Sequence, residues 1–201
     1  MKEISENAKK LLIENLEKFP YAEKQAKDKN SSLKQIIEYF IIKDNIASLR
    51  LWGTLAESKF VTTINPDFSE AEKILGFEIH PELKEILSLD FYIEGLLEYG
   101  FQLDGSISNM NIVGKFDKSG YSYFKDDFIC CGHFCTIGGA VEGLLEFDND
   151  TGAVYFWDWE VCEHDKMADS VREMLLKAKS IWSVASEEEL FPLEDLYEKF
   201  F

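Results

Sequence analysis

The spacing of apolar residues changes twice along this 201-residue chain, and that change limits the fold more than any single motif does. Ile4, Ala8, Leu11, Leu12, Leu16 and Phe19 recur at three and four residues, so the segment near 4–27 reads as an amphipathic helix that Pro20 kinks or ends early. Asp28 to Ser32 is polar and turn-rich, after which Leu33, Ile36, Ile37, Phe40 and Ile41 resume the stripe, predicting a helical hairpin. Between about Phe101 and Tyr155 the period shifts toward two. Aromatic and β-branched residues there are separated by Asp104-Gly105, Ser119-Gly120 and Gly138-Gly139, as in strands joined by turns. From Lys166 a helical stripe returns at Met167, Val171, Met174, Leu175, Ala178, Ile181 and Trp182, and a last short helix is expected over 187–201. Helices, then a mainly antiparallel sheet, then helices fit the α+β class better than alternating βαβ units.

Local signals sharpen two places. Ser69-Glu70-Ala71-Glu72 has the spacing of a capping box, in which the hydroxyl caps an orphan amide and Glu72 reaches back. A short helix follows, Gly76 supplies its left-handed stop, and Pro81 opens the next helix, with His80 before it as an imperfect cap. The second place is a hairpin joining Leu144–Phe147 to Val154–Trp157. Its turn, Asp148-Asn149-Asp150-Thr151-Gly152, has side chains that bond nearby amides and a glycine for positive φ.

Charge then narrows the partners. The chain carries 38 acids against 21 Lys and Arg, a net charge of −17. Nine lysines and eight acids lie in 1–45, whereas 30 acids face 12 basic residues in 46–201. This asymmetry marks a helical N-terminal extension, 1–45, and a main domain, 46–201, the extension being either an element packed on the main body or a dimerisation arm. Nucleic acid is excluded as a simple partner because phosphate binding needs a concentrated positive surface. With 46% hydrophobic and 14% aromatic residues the chain can bury a core and does not resemble a disordered acidic tail. It opens without an apolar signal core, and its longest strongly apolar stretch, Ile36 to Ile42, is far short of a membrane span. The expected location is the cytoplasm, without membrane attachment. Cys130, Cys131, Cys135 and Cys162 are too clustered for a disulfide framework and read as reduced thiols.

No phosphate-cradling loop, nucleophile elbow or His-Glu-x-x-His helix is present, so no catalytic residue and no cofactor are assigned. One metal alternative exists: Cys131, His133 and Cys135 alternate along a strand, with Cys162 and His164 further on, and could converge on zinc. Against it stand the unusual ligand spacing and the habit of buried cysteine to pack as a small hydrophobe. The acidic turn lacks the length and terminal glutamate of a calcium loop. Beyond it, Tyr155 to Glu160 alternates rings with acids, so one set of rings belongs to the core: either Phe156, or Tyr155, Trp157 and Trp159. The other set, beside acids, suits a protein interface. The candidate contact residues are therefore Trp157, Asp158, Trp159 and Glu160, with Asp148 and Asp150 at the neighbouring turn.

Three stretches in order resemble the SUKH superfamily: Ser69 to Leu87, with a glutamate-bearing helix ending at Leu75-Gly76 and Pro81 starting the next; Ile137-Gly138-Gly139 followed by Leu144 to Tyr155; and Ala168-Asp169-Ser170-Val171. The resemblance covers roughly 65–185; a leucine often stands at the position of His80, and the cysteine-rich strand is not part of the pattern. It implies an α+β domain without catalytic residues, used in bacteria mainly as immunity proteins that bind and neutralise polymorphic toxins, often nucleases. Other members are scaffolds or regulators, including a fungal cell-wall regulator branch and a Syd-like branch. The expected function is thus neutralisation of a basic toxin domain, the alternative being a regulatory scaffold for an endogenous protein.

Overall fold

In a computed structural model of the protein the described residues are 4–56, 59–96, 101–104, 112–117, 133–140, 143–158, 160–161 and 163–178. They divide into two compact units. The first holds residues up to Phe60, with 93–96 and Ala178; the second holds 61–92 and the described residues between Phe101 and Lys177.

The first unit is built on the expected helical hairpin. Helix α1, Glu6–Ala26, begins where the Ser5 hydroxyl accepts the Ala8 N–H at 3.2 Å. It continues past Pro20, whose missing N–H forfeits one bond to the preceding turn without ending the helix. Helix α2, Leu33–Trp52, opens on a capping box that the sequence reading passed over: Gln35 N–H donates to Ser32 Oγ at 3.3 Å and Ser32 N–H donates to Gln35 Oε1 at 2.9 Å. Ala8 and Leu12 of α1 bury against Ile46 and Leu49 of α2, with Leu16, Phe19 and Ile42 closing the seam. This packing draws α2 past residue 45, so the boundary expected there falls inside a helix.

Among the described residues the sheet has seven strands in sequential order: β1 Lys59–Thr63, β2 Leu89–Leu96, β3 Phe101–Asp104, β4 Phe134–Ala140, β5 Gly143–Asp148, β6 Val154–Asp158 and β7 Glu163–Ala168. Every pair from β3 to β7 is antiparallel, which confirms the α+β class. The expected hairpin is present in its expected register, Leu144 opposite Trp157 and Phe147 opposite Val154. Both faces are covered: Cys135, Phe147 and Val154 are fully buried on one, and Thr136, Glu146 and Trp157 are buried on the other.

Three expectations require correction. β1 and β2 lie outside the region read as strand, and a short helix, α5 (Ile112–Asp117), interrupts it. Residues 166–168, read as the start of a helical stripe, belong instead to the strand β7, Glu163–Ala168; α6 spans Val171–Lys177. Met167 fits a helical stripe by spacing alone, but it falls at the break in the β6–β7 register, between Lys166 opposite Tyr155 and Ala168 opposite Val154, which pair as strand. Ile181, Trp182 and the helix expected over 187–201 lie outside the described residues.

Candidate functional site

The hairpin turn is held by its own side chains. Asp148 Oδ1 accepts the Asp150 N–H at 2.9 Å and Oδ2 accepts the Thr151 hydroxyl at 2.6 Å, while Gly152 N–H donates to the Asp148 carbonyl at 2.8 Å. Gly152 sits at φ +80°, and a Cβ there would lie 3.1 Å from the His80 ring, so this glycine provides both the backbone conformation and the space for the imidazole.

That close approach docks the hairpin on a helical corner formed by α3 (Phe68–Leu75) and α4 (Pro81–Leu87). The cap of α3 corrects the sequence reading: Asp67, not Ser69, receives the free amides, from Ser69 at 3.1 Å and Glu70 at 3.3 Å. Glu72 is thereby released to reach forward, accepting the Ile79 N–H at 2.8 Å and pairing with Lys84 at 2.6 Å. The Lys84 ammonium first, and the Ile79 amide second, hold its carboxyl below the usual glutamate range. His80 caps α4 as anticipated, its Nδ1 accepting the Glu82 N–H at 3.2 Å.

Asn149 locks corner to turn. Its Oδ1 accepts the His80 N–H at 2.8 Å, and its Nδ2 donates to the Glu78 carbonyl at 2.9 Å, a two-point clamp between segments about seventy residues apart. The amide is buried, so water cannot replace either bond in the folded state. Asn149→Ala is expected to lower stability by about 2 kcal/mol, because two backbone groups lose their partners together. Asn149→Asp, which keeps only the acceptor, should fall between. Urea denaturation of the three proteins checks the order, and equal midpoints would remove the clamp.

Around this junction lie Phe77, its ring 3.9 Å from that of His133 and 5.3 Å from Phe116, and the pair His133–Asp150, with Nδ1 2.9 Å from Oδ1. Both members of that pair are about half exposed, so solvent screens it.

A second polar feature lies within the sheet. Glu146 is fully buried, and its Oε2 is 2.6 Å from Nε2 of His164, which is 13% exposed. Phe134, Tyr155 and Trp157 surround the imidazole at ring distances of 4.8–5.8 Å. Opposite Glu146 on β4, the buried Thr136 hydroxyl has no hydrogen-bond partner among the described residues.

The six candidate contact residues do not form one surface. Asp148 is 6% exposed with both oxygens engaged in the turn, and Trp157 is 5% exposed against His164, so neither presents area to a partner. Strand alternation places Tyr155 and Trp157 on the face of Glu146, which settles the parity left open by the sequence. Asp158 spends Oδ1 on the turn after β6, accepting the N–H groups of Glu160 at 2.8 Å and Val161 at 3.3 Å. Asp150 and Glu160 are exposed, and Trp159 lies outside the described residues. Sequence reasoning missed Val161, held out to solvent by that turn at 61% exposure. A lone valine between Glu160 and Cys162 carries no pattern that marks it as exposed.

The three described members of the alternative zinc set do not converge. His133 engages Asp150, His164 engages Glu146, and Cys135 lies on the opposite face of the sheet, opposite Phe147. Burial pushes the Cys135 thiol up to about 12, far from the thiolate a metal needs. Among the described residues no three metal-ligating side chains cluster, and Cys131 and Cys162 lie outside them. Nor is any described helix long and apolar enough to cross a membrane. The chain matches no protein-family model and no curated protein.

Proposed function

We propose that this chain is a non-catalytic binding protein of the SUKH type, an immunity protein that captures a basic toxin domain in the cytoplasm. The observation that carries this reading is the tip between β6 and β7. There a turn fastened by Asp158 presents the exposed side chains of Glu160 and Val161, and Asp165 is exposed on the strand that follows. An apolar side chain held in water beside charges of one sign suits a cationic protein surface: charge accelerates encounter and apolar area slows release. The excess of acids beyond residue 45 extends that attraction outward.

Calorimetric titration with the product of the adjacent upstream gene, at low and high salt, tests the reading. Nanomolar binding that weakens with salt supports it, and no binding at either salt overturns it. Within that complex, Glu160→Lys is expected to slow association several-fold at low salt while leaving the melting temperature unchanged. Asp158→Lys should also lower the melting temperature, since it removes the acceptor that holds the turn. An association rate for E160K equal to that of the native chain would place Glu160 outside the contact.

A further inference from the structure

The candidate tip leads into β7, which ends the sheet among the described residues: β6 lies on one side of it and no described strand lies on the other. A terminal strand carries every second N–H and C=O outward, a template on which another extended chain can pair. The β6–β7 register runs unbroken from Asp158 opposite Glu163 to Tyr155 opposite Lys166 and breaks only at Met167, so the regular stretch is next to the tip.

The charge of this edge decides what can pair with it. His164 turns inward to Glu146; Asp165 and Lys166 are both exposed, and the Lys166 ammonium is offset by its ion pair with Asp169 at 2.5 Å, while Asp165 is in no ion pair with another described residue. Asp158, Glu160 and Glu163 precede it in sequence. Two copies of such an edge repel each other, which guards against edge-to-edge aggregation, while a strand with basic residues at alternate positions meets opposite charge.

We propose that β7 is the docking edge for an extended basic segment of the protein partner, which adds to the sheet as a further strand beside β7 with Val161 as the apolar stop at its end. This rests on the reading of a cationic partner and specifies how that partner is held. Main-chain hydrogen bonds supply the affinity, and the acidic edge supplies the selectivity.

The test uses the full chain and two synthetic peptides of alternating lysine and valine. One is unmodified, and the other is N-methylated at every second peptide bond, which removes donors on one edge without changing charge. The unmodified peptide is expected to bind at least about tenfold more tightly, and to slow hydrogen exchange at alternate amides of 163–168. Equal affinity for the two peptides, protection confined to residues outside β7, or no binding of either peptide would each overturn the edge proposal. None of these outcomes depends on the upstream gene product, whose titration tests the cationic-partner reading separately. Protection of β7 in that complex would support the proposal, and tight binding without it would overturn the edge while leaving the binding reading in place.

Discussion

Replacing Gly143 by alanine is expected to destabilise the protein by about 3 kcal/mol or more, the largest effect of a single added methyl group in the sheet. Gly143 opens β5 opposite Asp158, buried where the β5–β6 ladder is most crowded. A Cβ at this position would fall 2.5 Å and 2.7 Å from ring carbons of Phe156 and closer still to the Trp157 carbonyl oxygen. A flexible side-chain tip could swing away, but a carbonyl fixed in a strand cannot move without shifting β6 itself. The substitution therefore either parts the ladder near Trp157 or forces Phe156 from its site. Chemical denaturation followed by circular dichroism measures the loss. A change within about 0.5 kcal/mol, as for an ordinary surface substitution, would show that the two strands do not approach this closely.

The second large effect is expected at the buried Glu146–His164 pair. Glu146 is fully enclosed, and a carboxylate taken out of water is tolerated only when bonded or paired. Removing the imidazole 2.6 Å away by His164→Ala should cost about 3 kcal/mol, because the carboxylate loses its cationic or hydrogen-bonding neighbour while remaining buried. The control is the double replacement Glu146→Leu with His164→Phe. It exchanges the pair for apolar groups beside Phe134, Tyr155 and Trp157, and is expected to cost less than His164→Ala alone. The opposite order, with the apolar pair worse than the single alanine, would mean that packing volume rather than buried charge dominates this site.

These two positions differ in how visible they are before folding. Gly143 stands after Glu142 in a run that alternates well enough to predict the hairpin, yet nothing in the run announces that Trp157 and Phe156 close over it. Glu146 was one acid among 38, and His164 belonged to a supposed metal set; only the antiparallel register, which carries β5 beside β6 and β6 beside β7, puts them on one face. The same geometry removed Asp148 and Trp157 from the candidate contact surface and drew notice to Val161. Asn149, read as a turn residue with local bonds, instead reaches across to Glu78 and His80.

What the sequence determined by itself is local or periodic. The helical hairpin of α1 and α2, the stop at Gly76, His80 before Pro81, the β5–β6 hairpin with its turn, and the acidic balance follow from spacing, caps and charge, all of which act within a few residues or need no structure. The tertiary structure alone decided how far α2 runs past residue 45, the strand at 163–168, the parity of the aromatic strand and the partners of Asn149, Glu146 and His164. Each of those depends on which distant backbone or side chain packs against or bonds the segment once water is excluded, and a helical or alternating pattern of apolar residues holds no information about that partner.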